Sequence, residues 1–219
     1  MNLKTNIANS GNFSKGRTKN ITYLVVHYTA NDGDTDEGNG SYFARKIIGA
    51  SAHYFVDEDS VTQAVKDTDT AWHCESRGMA LKCGCRNSNS IGIEMCSDKV
   101  NGKYVITADT VTNTVELVKL LMQKYNVPVE NVLRHYDVCG KNCPEPFVRD
   151  AAQWVAFKKR LEEDEMEKTA VKISVNGAVK TLEGYNVDGT NYVTVRGLCE
   201  LLGVAVGYDS ATKTVTLSK

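Results

Sequence analysis

Histidine, lysine and cysteine crowd into Arg134-His135-Tyr136-Asp137-Val138-Cys139-Gly140-Lys141-Asn142-Cys143-Pro144. Imidazole and thiolate are the donors that a borderline-soft ion such as zinc prefers, and such an ion keeps the thiol deprotonated. Another histidine, His27, lies far away in the chain, near the end of the apolar run Tyr23-Leu24-Val25-Val26-His27-Tyr28. Two imidazoles and one thiolate leave a tetrahedral Zn2+ one ligand short, and catalytic sites keep a water at that open corner. The pattern therefore points to His27, His135 and Cys143 as metal ligands. Taken alone, His27 also reads as a neutral, hydrogen-bonded histidine closing a buried strand.

A zinc-bound water becomes a usable nucleophile near neutral pH because its pKa falls to about 7. Amide hydrolysis still needs a group that takes the proton and returns it to the leaving amine. Glu94 is the candidate, because alternation along Ser90–Cys96 sends Ile91, Ile93 and Met95 to one face and Gly92, Glu94 and Cys96 to the other. An exposed glutamate on an edge strand is the plain alternative. Lys141, just ahead of Cys143, can stabilise a developing oxyanion or be a surface lysine in a turn. His53 in Ser51-Ala52-His53-Tyr54-Phe55 reads as structural or as a support for a ligand. His73, next to Trp72, either meets substrate or packs beside the indole. No His-Glu-x-x-His helix occurs, which argues against a metallopeptidase on the same ligands.

These residues need rigid elements to bring them together. The β-branched run over 21–30 reads as a strand buried on both faces. A glycine-containing acidic surface loop, Asn31 to Gly40, follows, then a short helix around Ser41–Ile48. Ala52–Val56 and Val61–Val65 form an expected hairpin, Ala71–Asn89 a long loop and Ser90–Cys96 another strand. Val111, Val115, Val118, Leu121 and Met122 share one face of an expected helix over Ala108–Tyr125, ended by Asn126 and Pro128. A strand at Val132–Tyr136 and a helix at Pro146–Glu165 complete an α/β domain over residues 1–160, with a mixed central sheet flanked by helices. A charged linker, 161–168, then leads to a small α/β module over 169–219. Its expected elements are short strands at Val171–Val175, Val179–Thr181, Tyr192–Val195 and Thr214–Leu217, and a helix at Val195–Leu202. That module has no histidine and one cysteine, Cys199, which argues against chemistry there.

Composition narrows the function further. A formal charge of -1 over 219 residues gives no electrostatic case for nucleic acid or an anionic membrane. No apolar run approaches the roughly 18 residues of a membrane span. The start, Met1-Asn2-Leu3-Lys4-Thr5-Asn6, lacks the pattern of a secretory signal, so synthesis in the cytoplasm is expected. Seven cysteines are an odd number for a disulfide framework, and free thiols are the expectation. Cys74, Cys83 and Cys85 read as a cysteine-rich surface loop rather than a second metal site.

The chain resembles the zinc-dependent type-2 N-acetylmuramoyl-L-alanine amidases, which include phage endolysins, bacterial autolysins and peptidoglycan recognition proteins. The matching pieces are Val25-Val26-His27-Tyr28-Thr29, Ser51-Ala52-His53-Tyr54-Phe55-Val56-Asp57, Ala71-Trp72-His73, Asn89-Ser90-Ile91-Gly92-Ile93-Glu94, Arg134-His135 and Gly140-Lys141-Asn142-Cys143-Pro144, in family order. The resemblance implies zinc at His27, His135 and Cys143. It also implies hydrolysis of the amide between N-acetylmuramic acid and L-alanine in peptidoglycan, by an endolysin that acts on the cell wall after release. Many relatives carry a catalytic Tyr where this chain has Ala52, so the resemblance shifts proton transfer to Glu94, with Lys141 beside the thiolate. It puts His73 and Trp72 on the substrate side. A non-catalytic peptidoglycan-binding protein on the same fold is the alternative, and such relatives typically lose the cysteine ligand. The tail, from Val175-Asn176-Gly177 to Tyr208-Asp209, is similar to stalk-type modules like the N-terminal domain of copper amine oxidases. This implies wall attachment or spacing, with dimerisation as the rival.

Overall fold

The computed structural model describes residues 2–75, 80–162, 167–187 and 189–218. Its backbone separates into two compact units, Met1–Glu163 and Asp164–Lys219. Residues 163–166 of the expected linker lie outside the described residues, as do residues 76–79 of the expected long loop.

Six strands build the central sheet of the first unit: β1 (Leu3–Thr5), β2 (Tyr23–Tyr28), β3 (Tyr54–Val56), β4 (Val61–Gln63), β5 (Ser90–Met95) and β6 (Val132–Arg134). Their spatial order is β1-β4-β3-β5-β2-β6. The β3–β4 pair is antiparallel and every other neighbouring pair is parallel, which makes the sheet mixed. Leu24, Val26, Tyr54, Val56, Ile91, Ile93 and Met95 point to one face. There they meet Val115, Val118 and Leu121 of α2 (Ala108–Tyr125) and Phe157 and Leu161 of α5 (Ala151–Glu162). Each fully buried aliphatic side chain contributes about 1.5–3 kcal/mol, so this face anchors the sheet. Helix α2 forms where its periodicity predicts. Thr107 Oγ1 accepts the Thr110 N–H at its start, and Asn126 ends it in the left-handed conformation.

The opposite face carries Val25, His27, Phe55, Gly92 and Glu94. In register, His27 pairs with Glu94 and Glu94 with Phe55 across three adjacent strands. They sit at the carboxyl ends of parallel strands, where open α/β sheets bind ligands.

Four expectations are corrected. Helix α1 runs over Asp36–Arg45, starting well inside the acidic stretch read as a surface loop. Thr35 caps it, Asp36 and Glu37 favour its positive end, and Asp36, Asn39 and Gly40 are buried. The strand expected to Tyr136 stops at Arg134, because Asp137 folds back to accept the Arg134 N–H at 2.9 Å and starts α3 (His135–Cys139). The expected helix over 146–165 is broken at Asp150 into α4 (Glu145–Arg149) and α5, where the Asp150 carboxylate accepts the Ala152 N–H. Cys74 and Cys85 are buried against Val25 and Val138 instead of lying on the surface. All seven cysteines are free thiols.

The second unit pairs β7 (Glu167–Val175), β8 (Ala178–Val187) and β9 (Thr190–Val193) as an antiparallel sheet. Helix α6 (Val195–Leu202), capped by Thr194 and closed by Gly203, follows, then a hairpin of β10 (Ala205–Asp209) and β11 (Thr214–Ser218).

Candidate metal centre

The ligand atoms offered by His27, His135 and Cys143 all lie within 4.8 Å of one another, and all three residues are buried. His27 projects from the end of β2, His135 opens α3, and Cys143 comes from the loop beyond it. Gly140 ends α3 at φ 85°, a conformation that side chains disfavour, and this turns the chain back. The Cys143 carbonyl then accepts the Tyr136 N–H at 2.9 Å. Cys143 Sγ lies 3.7 Å from His27 Nδ1, and the rings of His27 and His135 are 4.6 Å apart between centroids.

These residues fit a metal ion on an observation of their own. Both ring nitrogens of His135 are buried with no hydrogen-bond partner among the described residues, and so is Glu94 Oε2. An unpaired buried polar atom costs about 1–3 kcal/mol, so a buried imidazole with no partner of its own among the described residues, beside a second imidazole and a thiol, fits a site that takes a cation. The imidazoles are also in the form that ligates. Burial, then Lys141 and His73, push His135 down to about 4. Burial, with His135, His73 and Lys141 adding, holds His27 well below its ordinary range. Without a cation, burial raises the Cys143 thiol to about 12, with Glu94 adding. A cation at the thiol reverses that cost, because ligating thiols deprotonate outright.

Glu94 faces this cluster from β5, and burial pushes its carboxyl up to about 8, opposed by the Lys141 charge and reinforced by Asp34. Asp34 itself accepts from Thr29, Asn31, Asn39 and the Ser97 N–H, which leaves it no free oxygen for a substrate. Beside Glu94 opens a cavity of about 710 Å3 lined by Thr29, Asp34, Asn39, Tyr42 and Phe55, among others. Lys141 is solvent-exposed.

His73 is brought to the cluster, but it turns inward. Its Nδ1 lies 3.0 Å from His27 Nε2 and its Nε2 lies 3.0 Å from Ser90 Oγ. The half-buried Trp72 gives its indole N–H to Ser14 Oγ at 3.0 Å. Both His73 ring nitrogens and the Trp72 indole N–H are thus engaged within the protein. His53 stands away from the ligands, and its Nδ1 accepts the Gly92 N–H at 2.9 Å. Sequence reasoning misses Ser90 and Gly92 as contributors to the site. Their position four and two residues before Glu94, on the same strand face, is the signal that could have found them.

Residues 17–146 match the N-acetylmuramoyl-L-alanine amidase family Amidase_2. A probable N-acetylmuramoyl-L-alanine amidase of Bacillus licheniformis is 35% identical over 146 residues, 64% of this chain and 40% of that protein. The N-acetylmuramoyl-L-alanine amidase BlyA of Bacillus subtilis (strain 168) is 32% identical over 170 residues, 72% of this chain and 46% of that one. The chain therefore spans less than half the length of these curated relatives. Among solved structures, PlyL matches with a TM-score of 0.62 at 27% identity, over 74% of this chain and 97% of that chain. The PlyG catalytic domain matches with a TM-score of 0.63 at 28% identity, over 74% of this chain and 94% of that one. No described helix is long and apolar enough to cross a membrane. Because the family match takes in more than half of the chain and runs through His27, Glu94, His135 and Cys143, the chain belongs to the N-acetylmuramoyl-L-alanine amidases of the Amidase_2 family.

Proposed function

We propose that the unit Met1–Glu163 is a zinc-dependent peptidoglycan amidase that hydrolyses the amide between N-acetylmuramic acid and L-alanine, in the manner of a phage or prophage endolysin. The observation that carries this reading is His135, whose two ring nitrogens are buried beside His27 and Cys143 with no hydrogen-bond partner among the described residues. Zinc on these three residues would lower the pKa of a bound water to about 7 and polarise the scissile carbonyl. Glu94, with its carboxyl raised to about 8, is matched to taking a proton from the attacking water near neutral pH and handing it to the leaving amine of L-alanine. Lys141 supplies positive charge for the oxygen on which negative charge develops. The cavity that begins at Glu94 and extends to Phe55 and Tyr42 gives the stem peptide a partly apolar wall.

The second unit, Asp164–Lys219, serves in this reading as a wall-binding or stalk-type module like the N-terminal domain of copper amine oxidases. A weak contact of that kind raises the local concentration of an insoluble substrate without a new catalytic group. Self-association through this module is the rival role. The enzyme then acts on the bacterial wall and needs neither nucleic acid nor a membrane span.

Product analysis on purified muropeptides tests the activity. The expected product carries a new free amine on L-alanine. Cleavage between stem residues, or no cleavage by zinc-loaded protein, would refute it.

A further inference from the structure

The polar contacts behind His27 form a directed chain. Ser90 is fully buried, and its Oγ lies 2.7 Å from the Arg86 carbonyl oxygen and 3.0 Å from His73 Nε2. A carbonyl only accepts, so the single hydroxyl proton goes to Arg86; two oxygens that close without a proton between them would repel. Cys74 Sγ, 3.8 Å from the same hydroxyl, competes weakly and has its own acceptor in Asn87 Oδ1 at 3.3 Å. Ser90 Oγ therefore accepts from His73. That places the His73 ring proton on Nε2 and leaves a lone pair on Nδ1. The lone pair faces His27 Nε2 at 3.0 Å, so His27 donates from Nε2 and keeps its own lone pair on Nδ1. Nδ1 is the nitrogen that lies 3.7 Å from Cys143 Sγ.

We propose that Ser90 and His73 are positioning residues that set the tautomer of His27, holding its Nδ1 lone pair toward Cys143 so that the site is ready for a metal ion. The inference rests on the reading of His27, His135 and Cys143 as a metal site. A separate observation supports it: a Cβ at Gly92 would lie 2.5 Å from His73 Cγ and 2.7 Å from its Nδ1. Strand β5 thus carries a glycine at the point where the His73 ring presses against its backbone. Asn87 Oδ1 pins the other side by accepting the N–H groups of His73 and Cys74 at 3.0 and 2.9 Å. Ring, hydroxyl and backbone fix His73 in one orientation, and His73 passes that order to the ligand. Ligating histidines commonly depend on such a partner for tautomer and orientation.

The test begins with the metal-free full chain labelled with 15N-histidine. Long-range nitrogen–proton spectra should show protons on Nε2 of both His27 and His73, with nitrogen–nitrogen coupling across their hydrogen bond. A proton on His27 Nδ1 would overturn the proposal whether or not the chain takes up zinc. Zinc titration against a competing chelator supplies the second arm. His73→Phe should weaken zinc binding about 10–100-fold, the range typical of lost partners to ligating histidines. His73→Gln, whose amide can donate to Ser90 and accept from His27, should recover most of that loss. Equal affinities for the two variants would refute the relay. A wild-type chain that binds no zinc would instead refute the metal reading, and the coupling measurement would then judge the relay alone.

Discussion

Replacing Glu94 by Gln should move activity and stability in opposite directions. The carboxyl has one buried oxygen without a partner among the described residues, and burial raises its pKa from 4.5 to about 8, with Lys141 opposing and Asp34 adding. A carboxyl whose folded pKa is raised destabilises the fold at every pH above its unfolded value, and ceases to do so once the pH falls below that value. For the metal-free chain at pH 7, the interval from 4.5 to 7 corresponds to about 3 kcal/mol at about 1.36 kcal/mol per unit. The residue is partly exposed, so solvent screening reduces this to about 1–2 kcal/mol. Glu94→Gln should therefore stabilise the metal-free chain by about 1–2 kcal/mol at pH 7 and by almost nothing at pH 4, measured by urea unfolding. Turnover on muropeptide by the zinc-loaded variant should fall about 10²–10⁴-fold, the contribution of a positioned acid–base group. Zinc content should stay near that of the wild type. A variant that loses stability along with activity would make Glu94 a structural residue, and one that keeps turnover would move proton transfer elsewhere.

Cys143→Ser should abolish zinc uptake and turnover together, measured by elemental analysis and wall turbidity; full zinc occupancy in that variant would exclude Cys143 as a ligand. Asp67 offers a pH test away from the site, accepting from Tyr54 and Tyr125 at 2.6 Å and from Lys124 at 2.9 Å. Burial pushes its carboxyl up, but the hydrogen bonds from Tyr125, Tyr54 and Lys124 outweigh burial and hold it below its ordinary range. Such a group adds stability above its unfolded pKa of about 3.9, and that stability is lost as pH falls through the folded value. Asp67→Asn should accordingly cost about 2–4 kcal/mol at pH 7 and far less at pH 2 by urea unfolding, and a cost independent of pH would refute the assignment. Truncation after Glu163 should preserve hydrolysis of soluble muropeptide while weakening sedimentation with intact walls; unchanged sedimentation would reject the role proposed for the second unit.

Much of the site was legible because its chemistry is written in rare residue types and in strand alternation. His27, His135 and Cys143 stand out by ligand type, and the structure brings their donor atoms together. The period of two along Ser90–Met95 separated Glu94 from Ile91 and Ile93, and the register with His27 follows the same parity. Less visible were features decided by partners distant in the chain. Gly40 looks like loop material locally, yet in α1 it is the residue that fits, because a Cβ there would lie 2.6 Å from Thr62 Cγ2. His135 looked like the end of a strand, until the Asp137 carboxylate took up the Arg134 N–H and began a helix. His73 beside an indole left substrate contact and plain packing open, and neither reading anticipates that its two nitrogens lie 3.0 Å from His27 Nε2 and Ser90 Oγ.

The same parity explains how one short sheet can be stable and reactive at once. In β2, Leu24 and Val26 are sealed under α2 and α5, while Val25 and His27 look the other way. In β5, Ile91, Ile93 and Met95 are sealed, while Gly92 and Glu94 meet His73, His27 and the cavity. Because successive side chains alternate, the apolar half of each strand fixes the register that the polar half needs. A slip of one residue would put Ile93 beside His27 and Glu94 into the core. The geometry of the ligand cluster is therefore protected by residues that never touch it. Substitutions at Val26 or Ile93 should loosen zinc binding only through unfolding, whereas those at Gly92 or Ser90 should loosen it in a folded chain.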